Sequence, residues 1–307
     1  MSIVVENLTK KYGEQKAVND ISFEIKTGEV VGFLGPNGAG KSTTMKIITC
    51  FMAPSSGDVR LDNVSIHSDP EAIKKKIGYL PENNPLYLDM PVVEYLRFSA
   101  EIQGVPKSKI PSRIAEMIDR CGLDREKHKN INELSKGYRQ RVGLAQAMIH
   151  DPEILILDEP TTGLDPNQIV EIRKLIKDLG KEKTVILSSH ILSEVEATCD
   201  RILIINRGRI AADGTSDTLR SQSQGQELLK VSIEASPEEV EKAVRSLANV
   251  EKVTPIDGKD GWFNVQSKPD ASSRKEIFDL CVNNKWYLME MTGLETRLED
   301  VFQKLTK

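Results

Sequence analysis

The stretch GPNGAGKST at residues 35–43 has the residue types and spacing of a phosphate-binding loop. It fits the pattern G-x-x-x-x-G-K-[ST], in which small residues leave backbone N–H groups free to surround phosphate oxygens. Lys41 is expected to hold the β- and γ-phosphates of a nucleotide, and the Ser42 hydroxyl is expected to bind Mg²⁺. The other loop residues expected to contact the nucleotide are Gly35, Pro36, Asn37, Gly38, Ala39, Gly40 and Thr43.

The segments on either side of this loop support that interpretation. EVVGFL precedes the loop and has the composition of a strand, while KSTTMKIITC is predicted to be a helix beginning at about Lys41. Such a helix points the positive end of its dipole at bound phosphates. A plain glycine-rich turn would need neither element, so the sequence predicts a nucleotide site.

Two carboxylates and a histidine follow buried apolar runs further along the chain. Asp158 and Glu159 come after ILIL, a run apolar enough for a strand buried on both faces, and His190 follows TVILSS. Asp158 suits a water-mediated contact with Mg²⁺, and Glu159 suits orienting or deprotonating an attacking water. Acidic residues at strand ends often only cap loops, and a single histidine is often an ordinary loop residue. Their place after buried strands, downstream of a phosphate loop, favours a catalytic function.

The order of apolar patterns predicts an α/β fold for a first domain at residues 1–220. Short β-branched runs separated by turns predict strands before the phosphate loop. Residues 91–148 have helical spacing, so a helical subdomain is expected to separate two strands of one parallel sheet. Two more strand units follow, the second with a hairpin turn at residues 206–208. The sheet core is therefore expected to be mixed.

A second, smaller domain is predicted at residues 227–307, after the polar stretch RSQSQGQ at residues 220–226. Its patterns follow the order β-α-β-β-α-β, which predicts an α+β ferredoxin-like domain closed by the helix LETRLEDVFQKL. Ser236 and Pro237 are expected at the N-cap and first position of its first helix. No catalytic constellation is recognisable there, so a regulatory or dimer-supporting function is expected.

Composition excludes several classes of protein. The 307 residues carry a net charge of −4, which gives no basic surface for wrapping nucleic acid, so no nucleic-acid partner is expected. Four widely spaced cysteines form no C-x-x-C pair, which argues against a zinc site or disulfide framework and for a reducing compartment. No apolar run reaches the ~18 residues that a membrane span needs, and the opening MSIVVENLTK lacks signal-peptide features. The chain is expected to be cytoplasmic.

With these motifs in order, residues 3 to about 215 resemble the nucleotide-binding subunits of ABC transporters, a P-loop NTPase family that uses ATP and Mg²⁺. The resemblance implies that Lys41, Glu159 and His190 are catalytic and that Tyr12 stacks on adenine. It also implies that GLD at residues 163–165, which includes Asp165, runs between two subunits.

LSKGY at residues 134–138 occupies the position of that family's signature, usually L-S-G-G-Q. The resemblance implies that Ser135 and Gly137 reach the γ-phosphate held by the opposite subunit. Two complete sites then arise only when two chains pair head to tail, as a homodimer or as a heterodimer with a related subunit.

The chain departs from the family pattern at three positions. Lys136 replaces a glycine and Tyr138 replaces a glutamine. This variant signature resembles that of the family branch whose ATP-binding subunits drive export through permeases encoded as separate chains. Glu82 stands where most members have glutamine; it is expected to bind Mg²⁺ or position water, with a loop-stabilising role as the alternative. LPENNPLYLDM, together with the second domain, is most similar to gliding-motility-associated ATP-binding subunits.

The leading prediction is therefore an ATPase subunit that closes on two ATP molecules as a dimer. It is expected to drive a membrane permease on another chain, from the cytoplasmic face of the membrane. One alternative is a soluble ABC-type ATPase acting on nucleic acid or ribosomes, which usually carries a long coiled-coil insert or two cassettes. Another is a non-hydrolysing nucleotide sensor, which would require Glu159 or His190 to be missing or displaced.

Overall fold

The computed structural model describes residues 2–223, 226–269, 271–294 and 298–306. The chain divides into an N-terminal unit, Met1–Thr215 with Leu305–Lys307, and a C-terminal unit, Ser216–Lys304. The polar stretch at residues 220–226, proposed above as the boundary, instead overlaps a helix that begins at Ser216. The helix starts at Ser216 and Asp217, ahead of that stretch, and both are residue types that favour helix N-termini.

Two sheets form the N-terminal unit. Its strands are β1 (Ile3–Tyr12), β2 (Gln15–Ile25), β3 (Val30–Leu34), β4 (Ser56–Leu61), β5 (Val64–Ser65), β6 (Ile77–Leu80), β7 (Ile154–Leu157), β8 (Thr184–Ser189), β9 (Arg201–Asn206) and β10 (Arg209–Gly214). One sheet is antiparallel, in the order β2-β1-β4-β5. The other has the order β10-β9-β3-β8-β7-β6, with β10 antiparallel and the remaining strands parallel. The predicted mixed sheet core and the hairpin between β9 and β10 are confirmed.

The helices of this unit are α1 (Lys41–Ile48), α2 (Pro70–Lys76), α3 (Val92–Ile102), α4 (Ile110–Arg120), α5 (Lys136–Met148), α6 (Pro166–Gly180) and α7 (Leu192–Thr198). The helical spacing predicted across residues 91–148 is confirmed by α3, α4 and α5. Their apolar faces are buried, as at Leu96 on α3 and Met117 on α4. Across the described residues, no helix has both the length and the apolar character needed to cross a membrane.

The strands at the centre of the parallel sheet are buried throughout. Every residue of β3, β7 and β8 is buried, which confirms the prediction that ILIL forms a strand covered on both faces. The main hydrophobic core contains residues of both sheets and of α1. Within it, Phe23 of β2 packs edge-on against Phe33 of β3, with ring centroids 5.3 Å apart. This packing fixes β3, the strand that leads into the phosphate loop.

The C-terminal unit contains one antiparallel sheet. Its elements are α8 (Ser216–Ser223), β11 (Gln226–Glu234), α9 (Pro237–Arg245), β12 (Val250–Pro255), β13 (Trp262–Pro269), α10 (Arg274–Asn284) and β14 (Tyr287–Leu294), and the last helix of the chain is α11 (Leu298–Thr306). The strand order β12-β13-β11-β14 and the β-α-β-β-α-β sequence confirm the predicted ferredoxin-like fold. Ser236 precedes α9 as predicted, but its side chain makes no capping hydrogen bond to the described residues.

The four cysteines are free thiols, and Cys121 and Cys281 are buried. Burial raises the pKa of Cys50 to about 11 and that of Cys121 to about 12. Both thiols are therefore protonated at neutral pH and poor nucleophiles.

Candidate nucleotide site

Four neighbouring parallel strands end at one edge of the six-stranded sheet, and each is followed by residues predicted to act on a nucleotide. The loop at residues 35–40 follows β3, Glu82 follows β6, Asp158 and Glu159 follow β7, and His190 follows β8. Parallel strands place all their carboxyl ends on the same edge, so these groups converge. A cavity of about 510 Å³ at this edge is lined by Tyr12, Gln15, Ala17, Asn37, Gly38, Ala39, Gly40, Lys41, Ser42, Thr43, Glu82, Glu159, Thr162 and His190.

The phosphate loop turns tightly between β3 and α1. Gly40 has φ of +111°, and a Cβ atom there would lie 2.5 Å from the carbonyl oxygen of Ala17. A side chain at this position would therefore be both strained and blocked. Lys41 Nζ folds back to donate to the carbonyl oxygens of Gly35 at 2.8 Å and Pro36 at 3.3 Å. Gly35 and Pro36 thus bind the lysine ammonium through their carbonyl oxygens, and neither residue lines the cavity.

Asp158 lies at the base of the site and is 1% exposed. The hydroxyls of Ser42 and Ser188 donate to its Oδ1 atom, at 3.1 and 2.5 Å. Ser188 also accepts a hydrogen bond from the backbone N–H of Glu159 at 2.9 Å. One buried serine therefore positions the carboxylate of Asp158 and the backbone of Glu159. Sequence reasoning missed Ser188, because a small hydroxyl residue at the end of a strand, two positions before His190, is not by itself a functional signal.

Glu159 is held between two basic side chains. Its Oε1 atom lies 3.7 Å from Lys41 Nζ, and its Oε2 atom lies 2.9 Å from His190 Nδ1. Thr162, also missed in the sequence, donates to Oε2 at 3.3 Å. Glu159 has φ of +50°, a left-handed conformation that costs a non-glycine residue about 1–3 kcal/mol. These contacts fix the direction of a buried carboxylate that would otherwise be free to rotate.

Tyr12 lies on the rim of the cavity with half of its surface exposed. Its hydroxyl donates to Met52 Sδ at 3.0 Å, which anchors one end of the ring. An exposed, anchored aromatic ring is suited to stacking on a planar base. The predicted adenine contact therefore stays compatible with the geometry.

The predicted metal ligands also converge. Ser42, Asp158 and Glu82 line a second cavity of about 370 Å³ beside the first, which we call the Tyr79 cavity because Tyr79 forms part of its wall. Within the described part of the chain, no group of three or more His, Cys, Asp or Glu residues could hold a metal by themselves. All three predicted ligands offer oxygen, and Mg²⁺ is usually held by one or two carboxylates together with phosphate oxygens and water. The donor set therefore fits Mg²⁺ bound with a nucleotide.

Tyr79 lies on β6 with its hydroxyl inside the protein. Burial raises the pKa of Tyr79, and the negative charges of Asp158 and Glu82 raise it further. The hydroxyl is therefore a proton donor at neutral pH, next to the predicted metal ligands.

Ser135, Gly137 and Asp165 are not among the described residues that line the 510 Å³ cavity. Ser135 is the N-cap of α5, and its hydroxyl accepts from the N–H of Tyr138 at 3.4 Å. Asp165 is the N-cap of α6, where its carboxylate accepts from the N–H of Gln168 at 3.0 Å. Both residues therefore have a structural function within one chain, in addition to any contact with another subunit.

The signature segment and the GLD loop contact each other within the chain. A Cβ atom on Gly137 would lie 2.3 Å from Gln168 Oε1, and one on Gly163 would lie 2.0 Å from Lys136 Nζ. Lys136, which replaces the family's usual glycine, therefore lies directly over Gly163. The signature segment therefore approaches the GLD loop at Gly163 and the first turn of α6 at Gln168, and a side chain on either glycine would disturb the contact.

The family model described as ABC transporter matches residues 18–162. The uncharacterized ABC transporter ATP-binding protein YxlF of Bacillus subtilis (strain 168) is 33% identical over 301 residues, which cover 98% of each chain. The bacitracin transport ATP-binding protein BcrA of Bacillus licheniformis is 34% identical over 310 residues, covering 99% of this chain and 98% of that protein. The chain belongs to the ABC transporter ATP-binding proteins. Both relatives span nearly all of this ABC transporter ATP-binding protein, including its C-terminal unit.

A solved structure is also similar to this ABC transporter ATP-binding protein. It is described as a dimeric, post-hydrolysis state of the ATP-binding cassette MJ0796 bound to ADP and Pi. The two share 28% identity with a TM-score of 0.64, over 69% of this chain and 98% of that one. The ABC-type P-loop NTPase fold predicted from the motifs is thereby confirmed.

Proposed function

We propose that this chain binds and hydrolyses ATP as a subunit of an ABC transporter and drives a permease on a separate chain. The observation that carries the proposal is the contact of Glu159 with both Lys41 and His190 at the edge of the sheet that bears the phosphate loop. In the proposed reaction the buried carboxylate, the phosphate-binding cation and the imidazole, which contact one another here, act on one γ-phosphate.

Each of these side chains has a chemical role in the proposed reaction. Lys41 and the loop N–H groups hold the β- and γ-phosphates of ATP. Glu159 accepts a proton from the attacking water as the new P–O bond forms and the bond to the β–γ bridging oxygen breaks. His190 keeps the carboxylate oriented. Ser42, Asp158 and Glu82 would hold Mg²⁺, which supplies positive charge that offsets the charge of the phosphates.

We further propose that two chains share each site, in a homodimer or a heterodimer with a related subunit. Ser135, Gly137 and Asp165 lie outside the cavity that contains Lys41, so in one chain they have no nucleotide to contact. The N-terminus of α5, with Ser135 as its cap, offers N–H groups and a positive dipole end to a phosphate of the opposite subunit. The dimeric form of the solved relative supports this arrangement.

A separate cleft supports contact with a permease. It measures about 530 Å³, and its lining includes Phe51 and Ile102, whose surfaces are 71% and 67% exposed. Exposed apolar side chains around a cleft are typical of protein interaction sites. We propose that a cytoplasmic segment of the permease docks here, which would place the chain on the cytoplasmic face of the membrane.

Export is the direction we propose, from the variant signature LSKGY. The finer resemblance to gliding-motility-associated subunits stays a prediction, because the relatives described above are named for bacitracin transport or for no substrate. Of the alternatives, a non-hydrolysing sensor is disfavoured by the paired Glu159 and His190. A ribosome- or DNA-acting ATPase is disfavoured because the longest described helix, α6, has 15 residues.

The Glu159→Gln variant tests the catalytic assignment. Hydrolysis should fall by roughly 100-fold or more while ATP binding survives, because the phosphate contacts come from Lys41 and the loop. Size-exclusion chromatography with ATP and Mg²⁺ should then show a trapped dimer. A protein that stays monomeric and releases phosphate at the wild-type rate would contradict the assignment.

Mixing inactive variants tests whether the site is shared. Ser135→Arg chains mixed with Lys41→Ala chains should form some dimers with one intact site, so part of the activity should return. Lys41→Ala mixed with Glu159→Gln is the matched control, because both changes damage the same half of a site and no intact site can form. Equal activity in the two mixtures would rule out sharing.

The permease cleft is tested by Phe51→Ser and Ile102→Ser. Either variant should lose a multispanning membrane protein, identified by mass spectrometry, that copurifies with the wild type from solubilised membranes. Val170→Ser, at a 56% exposed residue of α6, serves as the control. ATP binding should be unchanged in all three variants, and retention of the partner by Phe51→Ser and Ile102→Ser would argue against this cleft.

The C-terminal unit is proposed to support the dimer. A chain truncated after Thr215 should keep Lys41-dependent ATP binding but need a higher protein concentration for hydrolysis, since assembly follows mass action. A folded truncated protein that no longer binds ATP would show that residues beyond Thr215 contribute to the nucleotide site.

A further inference from the structure

A buried carboxylate lies on α7, outside the wall of the nucleotide cavity. Glu194 is 7% exposed and is not among the described residues that line the 510 Å³ cavity. Its Oε2 atom accepts hydrogen bonds from two hydroxyls, that of Thr161 at 2.6 Å and that of Ser189 at 3.2 Å. Both of these residues are buried as well. A carboxylate away from water is costly unless it is hydrogen-bonded, so the two hydroxyls stabilise it in this position.

The two hydroxyls belong to the two chain segments that carry the proposed catalytic pair. Thr161 is two residues after Glu159, in the segment that follows β7. Ser189 is the last residue of β8 and directly precedes His190. A single oxygen atom of Glu194 therefore joins the two segments whose side chains, Glu159 and His190, make the 2.9 Å contact.

Hydrogen bonds to the backbone extend this connection along each segment. The Ser189 hydroxyl accepts from the backbone N–H of Ile191 at 3.0 Å, which closes the turn that contains His190. The Thr161 carbonyl accepts from the backbone N–H of Leu164 at 3.2 Å, inside the GLD loop. A shift of either hydroxyl would therefore move the backbone next to His190 or at the GLD loop.

The last two residues of β8 contact the segment after β7 in two different ways. Successive side chains of a strand point to opposite faces of the sheet. Ser188 bonds directly to Asp158 and to the backbone N–H of Glu159. Ser189 reaches the same segment only through Glu194, because the carboxylate lies between its hydroxyl and that of Thr161. Glu194 is thus the link on the second face.

We propose that Glu194 is a positioning residue for ATP hydrolysis. Its carboxylate holds the end of β8 and the segment after β7 at a fixed separation, and this keeps Glu159 and His190 in contact. Glu194 touches neither the nucleotide nor the attacking water, and acts only through the catalytic pair. This role rests on the proposed function, because it assumes that Glu159 and His190 act in hydrolysis.

The first test is Thr161→Val, which removes the hydroxyl that binds Glu194 and keeps the shape of the side chain. Turnover should fall about tenfold, as expected for losing a hydrogen bond to a charged group. KM for ATP should stay within about twofold, because the phosphate contacts remain. Thr161→Ser keeps the hydroxyl and should restore turnover to within about twofold of wild type. Steady-state phosphate release by the full chain is the measurement.

Thr198→Val is the matched control. Thr198 is also buried and lies on α7, but its hydroxyl makes no hydrogen bond to any described residue. The same substitution there should leave turnover unchanged. An equal loss of turnover in Thr161→Val and Thr198→Val would overturn the inference, since the effect would then not depend on the bond to Glu194.

A double-mutant cycle distinguishes positioning of the catalytic pair from a general loosening of the site. In the His190→Ala background the pair is already lost, so adding Thr161→Val should lower single-turnover phosphate release by less than about twofold. Losses of about tenfold in both backgrounds would refute a role that acts through the pair. A merely structural contribution of Glu194 would give this second result.

A second variant decides the matter if Thr161→Val does not fold. Glu194→Gln keeps the size of the side chain and offers a neutral oxygen, which is a weaker acceptor. Turnover should fall about threefold with KM unchanged, and wild-type turnover would refute the inference while leaving the proposed function standing. A wild-type protein that binds ATP and releases no phosphate would instead overturn the proposed function.

Discussion

The six-stranded sheet of the N-terminal unit and the sheet of the C-terminal unit use their polar side chains in opposite ways. In the six-stranded sheet, β3, β8, β7 and β6 are parallel neighbours, so the groups that follow them meet at one edge. In the C-terminal sheet every neighbouring pair is antiparallel, so successive strands end at opposite edges. In a parallel sheet the residues that follow successive strands thus lie together at one edge, whereas in an antiparallel sheet they are divided between two edges.

The C-terminal unit still contains a polar cluster, but its contacts hold elements together. Ser267 and Ser273, both fully buried, share a hydrogen bond of 2.7 Å between β13 and the start of α10. Glu227 of β11 accepts from Arg274 Nε at 2.7 Å and from the Ser272 hydroxyl at 2.8 Å. This cluster fastens α10 to two strands and lacks a cavity-facing cation with a base beside it.

The largest expected difference between the two regions is in nucleotide affinity. Lys41→Ala removes the cation between the loop carbonyls and Glu159, so ATP affinity should fall by about 100-fold, as expected for losing a buried charge-assisted contact. Arg274→Ala breaks the ion pair with Glu227 and should leave ATP affinity within about twofold. Isothermal titration calorimetry of both variants decides the matter, and similar losses in the two would invalidate the contrast.

Two fully buried serines give the next contrast. Ser188→Ala removes hydrogen bonds to Asp158 and to the Glu159 backbone, and bonds to charged groups are worth about 1.5–3 kcal/mol. Turnover should therefore fall about tenfold with little change in KM. Ser267→Ala should leave turnover unchanged and destabilise the C-terminal unit by about 1 kcal/mol. Steady-state kinetics and urea unfolding of both variants provide the measurement; a turnover defect in Ser267→Ala would count against separate functions.

The sequence predicts the strand-end groups because each one combines two signals. Asp158 and Glu159 follow the uniformly apolar run ILIL, His190 follows the buried segment TVILSS, and Lys41 lies in a loop whose spacing is specific. Short hydroxyl side chains carry no such signal, since serine and threonine occur at strand ends, caps and turns alike. Ser188 and Thr162 could therefore be found only when the fold placed β8 and the residues after β7 together.

Helix caps account for the other differences between sequence and structure. Ser135 and Asp165 were predicted from the resemblance alone, yet both begin helices in the chain itself. The polar stretch at residues 220–226 was predicted as a domain boundary, although its first residues form the end of α8. Because Ser, Asp and Asn are favoured equally by caps and by loops, composition alone cannot separate the two.

A comparison of two glycines with the same backbone conformation distinguishes the effect of backbone strain from the effect of a steric contact with Lys136. Gly163 and Gly258 both have φ of +74°, but a Cβ on Gly163 would meet Lys136 whereas one on Gly258 has no described atom within 4 Å. Alanine should cost about 1 kcal/mol of stability at either site through strain. Only Gly163→Ala should also lower turnover, by about 3-fold, and adding Lys136→Ala should restore part of it. Kinetics of the single and double variants test this; equal defects at both glycines would mean that the contact with Lys136 is unimportant.

The smallest effect concerns acid stability, for which the two units carry different titrating groups. All four histidines lie before residue 216, so the C-terminal unit has none. Burial lowers the pKa of His150, whose ring contacts the Ile77 carbonyl. The unfolded chain therefore binds more protons than the folded one as the pH falls below about 6.5, and the N-terminal unit should lose stability there.

Glu227 makes the stability of the C-terminal unit depend on pH, but in a lower pH range than the one set by His150. Burial alone would raise the pKa of Glu227, but hydrogen bonds from Arg274 and Ser272 outweigh it and lower the pKa. The stability that Glu227 contributes is present above about pH 4.5 and is lost as the pH falls through its lowered pKa. Between pH 7 and 5 the C-terminal unit should therefore keep its stability while the N-terminal unit weakens.

The two units can be followed separately because both tryptophans, Trp262 and Trp286, lie in the C-terminal unit. Their fluorescence in urea should give the same unfolding midpoint at pH 7 and pH 5, while hydrogen exchange of β6 and β7 should become faster at pH 5 after correction for the intrinsic rate. His150→Gln should reduce this acceleration, because the side chain that gains a proton on unfolding is gone; His128→Gln, at an exposed histidine, is the control. The contradicting result would be a urea midpoint of tryptophan fluorescence that falls at pH 5 together with the exchange protection of β6 and β7. The two units would then not respond to pH independently, and the contrast between the two sheets would not extend to their stability.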